Sequence, residues 1–68
     1  MNLNDIAKAN WGKKVRVTII DGETLEGKLI AYTSGGDNEP DSESIIIEDA
    51  EGVLVEIGSD EIERVDRT

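Results

Sequence analysis

The sequence predicts an all-β protein: a small, strongly bent, five-stranded barrel preceded by a short helix. Three observations predict it. Apolar residues leave helical spacing after the first residues and alternate with polar ones from Lys14 on, the pattern of half-buried strands. The connections are mostly short and carry Gly and Asp, as tight turns do. A glycine, Gly27, falls inside the longest alternating run, where a strand without a side chain bends or bulges. A bend of that kind lets so few strands curl into a barrel.

The elements follow in order. Leu3, Ile6 and Ala7 share one face of a helix over about residues 3–10, with Asn4 as candidate N-cap and Asp5 in the positive first turn. Gly12 ends it, and Trp11 is expected to pin it to the domain. Val15, Val17 and Ile19 then form the inward face of a first strand, with Arg16 and Thr18 outward. Asp21-Gly22 is a tight-turn signal, because both residue types tolerate positive φ. Leu25, Gly27, Leu29 and Ala31 are in phase on a second strand. An acidic connector over residues 33–44 leads to the third strand, "SIIIED". "AEG" turns into the fourth, "VLVEI", and "GSD" connects to the fifth, "EIERVD". Residues 1–68 thus read as one domain, with the barrel over about residues 13–66.

Composition narrows the function. The chain of 68 residues has no cysteine, so disulfides and thiolate metal sites are excluded. It has no histidine, which removes the commonest general base and most zinc sites. The start lacks the apolar run of a signal peptide, and no stretch approaches the about 18 apolar residues of a membrane span. The expectation is a cytoplasmic protein with no membrane partner. The net charge of −9 repels phosphate at long range and disfavours nucleic acid and anionic lipid.

"VRVTIIDGETLEGKLIAY", behind a helix, resembles the first motif of the Sm-like (LSm) proteins, which include bacterial Hfq. The shared features are alternating apolar residues, the turn glycine Gly22, the second glycine Gly27, Leu29 two positions on, and the aromatic Tyr32. "VLVEIGSDEIERVD" resembles the second motif, in which a fourth strand passes through a tight turn into a fifth. The resemblance covers nearly the whole chain; other small SH3-like barrels share parts of it. It implies a non-catalytic, RNA-associated homo-oligomer, in which the fourth strand of one subunit pairs with the fifth of the next and closes a ring. Edge backbone beside Ile57 and Ile62 suits such pairing.

The residues that would carry RNA contacts differ. Thr33 follows Tyr32 where RNA-binding members place an aspartate, and Asn38 matches the family asparagine only across an insertion. Gly58 and Ser59, or Ile57 in a shifted register, stand where arginine and glycine belong. No RNA-binding residue is therefore carried over. Tyr32 is expected to pack in the barrel. The second reading is a protein-interaction or structural module that keeps the barrel without binding RNA.

Other constellations are weaker. Asp37, Glu39, Asp41 and Glu48 match the first, third, fifth and twelfth places of an EF-hand loop, with Glu43 nearby. Ser42 replaces the required glycine, Pro40 interrupts, and the flanks are strands, so a solvated connector is expected and no metal or other cofactor is assigned. Ser34, Ser42, Ser44 and Ser59 lack an activating histidine, and Lys13 or Lys14 would need a buried pocket to serve as base, so no catalytic residue is assigned. Lys8, Lys13, Lys14 and Arg16 near the start, with Arg64 and Arg67 near the end, form small basic groups expected to pair with neighbouring carboxylates.

Overall fold

The computed structural model describes residues 2–34 and 43–68. Helix α1 (Leu3–Ala9) leads into five strands: β1 (Lys14–Ile19), β2 (Thr24–Thr33), β3 (Ser44–Glu48), β4 (Leu54–Gly58) and β5 (Ile62–Arg67). A single 3-10 turn, Ser59–Glu61, separates β4 from β5. The strands form one antiparallel sheet in the order β4-β3-β2-β1-β5.

Two hairpins use the same turn. In the first, Gly22 N–H donates to Ile19 O at 2.8 Å and Ile19 N–H to Glu23 O at 2.8 Å. In the second, Gly52 N–H donates to Asp49 O and Asp49 N–H to Val53 O, both at 3.0 Å. The glycine takes the left-handed conformation in each, with φ of +96° at Gly22 and +82° at Gly52. No non-glycine residue described has positive φ, so Asp21 does not take the conformation its pairing with Gly22 suggests. Its carboxylate instead accepts the Glu23 N–H at 2.9 Å, and Asp49 accepts those of Glu51 and Val53 in the same way.

Strand β2 is long enough to serve two partners. Its first half pairs with β1, Val15 opposite Gly27, and its second half with β3, Leu29 opposite Ile47. The register with β3 shifts between Leu29 and Ala31, where the strand accommodates an irregularity. At Gly27 the carbonyl of Glu48 comes so close that an added Cβ would lie 2.6 Å from it. Glycine is thus required here by the approach of β3, with the register shift a few residues further on.

The core is Val15, Val17, Leu29, Ile45, Ile47, Ile57 and Ile62 from the sheet, capped by Leu3 and Ala7 of α1. Burying each large aliphatic side chain is worth roughly 1.5–3 kcal/mol. The helix is therefore held by Leu3 and Ala7. Trp11 is 55 % exposed and does not pin it, because the chain turns at Gly12 (φ +74°) directly into β1. The cap also differs from expectation: Asn2, two residues before Asn4, accepts the Asp5 N–H at 3.2 Å, so the helix starts at Leu3. At the other end Arg67 of β5 donates to Ala9 O and to Asn10 Oδ1, tying the last turn to the sheet.

The sheet is open. Strand β5 pairs with β1 and β4 with β3, and no β4–β5 ladder joins them among the described residues. The 3-10 turn explains this. Its start is tied to one side, Ser59 N–H to Glu43 O, and its end to the other, Ile20 N–H to Glu61 O. The two strands are thereby carried to opposite margins instead of folding into a hairpin. No helix among the described residues is long and apolar enough to cross a membrane.

Candidate interaction surface

The open sheet leaves two backbone edges. Their phase follows from bonds at the strand ends. Ser59 N–H reaches Glu43 O and Asp49 N–H reaches Val53 O. With Ile45 opposite Ile57 and Ile47 opposite Val55, the odd-numbered residues of β4 bond to β3. Leu54, Glu56 and Gly58 thus turn N–H and C=O away from the sheet. On β5, Thr68 N–H bonds to Lys14 O, and Asp66 and Arg64 stand opposite Arg16 and Thr18. Val65 and Arg67 therefore present their backbone groups at the other edge. The β4 edge is apolar at its start, with Leu54 58 % and adjacent Val53 53 % exposed.

The side chains on these strands are mostly engaged locally. Ser44 is buried at 5 % exposure, and its hydroxyl donates to Glu56 Oε2 at 2.8 Å. That bond links β3 to β4, and it is not legible from the sequence because the two residues are brought together only by strand register. Arg64 pairs with Asp66 at 2.7 Å along β5. On the outer face of β1 and β2, Arg16 Nε donates to Glu26 Oε2 at 2.8 Å, with Lys14 4.0 Å from the same carboxylate. The Arg16 hydrogen bond, then its charge, hold the Glu26 carboxyl below its ordinary value, against a small opposing effect of burial and with help from Lys14. Lys14, Arg16, Arg64 and Arg67 are therefore engaged within the chain. No carboxylate among the described residues lies within ion-pair distance of Lys8, Lys13 or Lys28.

A cleft of about 420 Å³ opens where β2 passes Gly27, with Gly12, Gly27 and Ala50 contributing mostly backbone and Lys14, Glu26, Lys28 and Glu48 standing around it. Its charges are mixed and point to no single ligand class. Gly22, Gly27 and Leu29 hold structural places: the first hairpin turn, the close approach to β3, and the centre of the core.

Tyr32 packs partly against the core, and its hydroxyl donates to the Glu43 carboxylate. That bond, more than burial or charge, raises the phenol above its ordinary value of 10.0. Of the acidic connector, Asp37, Glu39 and Asp41 lie outside the described residues, as do Asn38, Pro40 and Ser42. Glu43 precedes β3 and Glu48 ends it, Glu43 bonded to Tyr32 and Glu48 opposite Lys28 in the ladder. Among the described residues no three metal-type side chains gather. Ser34 is exposed, and the partner of the Ser44 hydroxyl is a carboxylate in a chain without histidine. No protein-family model, no curated protein and no solved structure matches this chain.

Proposed function

We propose that this chain is a non-catalytic interaction module of Sm-like architecture that associates with copies of itself, edge to edge, through β4 and β5. The observation that carries the reading is the strand order β4-β3-β2-β1-β5, which leaves β4 and β5 as the two margins of one bent sheet. An edge strand offers a row of backbone donors and acceptors ready to pair with another chain. The two margins are different strands, so a β4-to-β5 contact is heterologous and closes a ring where its rotation permits. A domain of this size also gains buried surface by association. The sharing of β2 between two partners and the register shift after Leu29 support a partly closed barrel as the finer description.

RNA association is the second reading. It is supported by the Sm-like motif around Gly22, Gly27 and Leu29, and by Lys8 and Lys13, which are clear of carboxylates among the described residues. The net charge of −9 and the engagement of Lys14, Arg16, Arg64 and Arg67 within the chain weigh against it. Titrating short U-rich and A-rich RNA at low salt, beside a light-scattering mass, separates the two. An assembly that leaves RNA unbound into the micromolar range is the expected outcome. Saturable RNA binding in that range would establish the second reading instead.

A further inference from the structure

We infer that self-association of this chain is opposed by its own charge, so that salt tightens the assembly. The inference rests on the edge-to-edge reading above and concerns how that contact is regulated.

Strand β4 carries one ionisable side chain, Glu56, and no cation. Strand β5 carries Glu63, Arg64, Asp66 and Arg67, which cancel in sum. Its two arginines are already engaged within the chain, Arg64 with Asp66 and Arg67 with Ala9 O and Asn10. Lys8, Lys13 and Lys28 lie on the helix, before β1 and on β2, so none of them belongs to either edge strand. A β4–β5 contact thus has backbone pairing and the apolar Leu54 and Val65 to hold it, and no available cation on either strand to complement Glu56.

Against this stands a charge of −9 on each copy. The domain is 20–34 Å across. At about 0.01 M salt the screening length is about 30 Å, so neighbouring copies repel across their whole bodies; at about 1 M it is about 3 Å, and only contacting charges interact. Screening therefore removes repulsion while leaving backbone pairing and apolar burial in place. The sign is opposite to that of an interface built on ion pairs, which salt weakens.

Sedimentation of the whole chain in about 25 mM and about 500 mM sodium chloride tests this. The dissociation constant is expected to fall about threefold or more with salt. The double variant Glu56→Gln, Glu63→Gln moves the charge from −9 to −7 and keeps an acceptor for the Ser44 hydroxyl. It is expected to associate more tightly than the parent at low salt and to respond less to added salt. An oligomer whose dissociation constant rises or stays constant with salt overturns the inference and spares the edge-to-edge reading. The same salt slope in parent and variant also overturns it, because salting-out and not charge would then be at work. A monomer at every salt concentration overturns both.

Discussion

Single residues decide two features of this fold. Gly27 is fixed by the Glu48 carbonyl, which leaves no room for a Cβ at 2.6 Å. Gly27→Ala is expected to cost about 1–3 kcal/mol through forced backbone movement, lowering the melting temperature by roughly 4–8 °C for each kcal/mol. Gly52→Ala, in open space but at φ +82°, should cost about 1–2 kcal/mol through backbone strain alone. A thermal melt of both, with a structure of the first, checks whether β2 and β3 separate at that point. Tyr32 is the only tyrosine, so absorbance titration reads one phenol. Its bond to Glu43 stabilises the neutral hydroxyl and raises the folded value above 10.0. The contribution of that bond to stability is accordingly full below pH 10.0 and is lost as pH rises through the folded value. Glu43→Ala is expected to bring the phenol back toward the ordinary value; an unmoved titration curve would remove the bond from the account. The burial habit of tyrosine, and not the alternation of Leu25, Leu29 and Ala31, points Tyr32 to the core, and the register shift after Leu29 allows it; its partner Glu43 lies across an intervening connector and is found only through strand pairing.

At the scale of elements, the helix shows what sequence pattern can and cannot resolve. The spacing of Leu3, Ile6 and Ala7 identifies the buried face, since helical period and burial are the same geometric fact. The sequence pattern names Asn4 as the cap, but Asn4 lies inside the helix, and the bond from Asp5 N–H makes Asn2 the cap. Trp11 misleads because its size argues for burial, whereas the turn at Gly12 leaves it at the surface. Leu3→Ala should therefore cost about 2–5 kcal/mol in urea denaturation, as a buried large-to-small change does. Trp11→Phe should stay within about 0.5 kcal/mol of the parent. A large loss for Trp11→Phe would return the tryptophan to the role its size suggests. The strands were legible for the same reason as the helix face, and the turn glycines marked the hairpins. The edges beside Ile57 and Ile62 were expected only through the family resemblance, because an edge is a property of strand order, set here by the anchoring of Ser59 to Glu43 before β3 and of Glu61 to Ile20 after β1.

At the scale of the whole molecule, the account turns on two unlike edges of one sheet in an acidic chain. Gly58 sits on the β4 edge with its N–H directed away from β3, at φ −75° and ψ 149°. Proline adopts that φ without strain, and extended Ile57 before it is compatible, so Gly58→Pro removes an edge donor while leaving the β3–β4 ladder intact. An added Cβ would lie 2.9 Å from the Asp60 carboxylate and 3.7 Å from that of Glu61, both movable ends of side chains. The monomer fold should be kept, with the same far-ultraviolet spectrum and, at dilution where both are monomeric, a melting temperature no lower than the parent's. Association should weaken about tenfold, because one pairing bond is lost and its acceptor is left without a donor. The most direct test of the central claim is thus the mass in solution of the parent and of Gly58→Pro, measured side by side across a concentration series at moderate salt. The account predicts a defined multiple of 7.4 kDa for the parent, shifted toward 7.4 kDa in the variant at equal concentration. A parent that stays at 7.4 kDa at high concentration, or a variant that assembles as well as the parent, would contradict it.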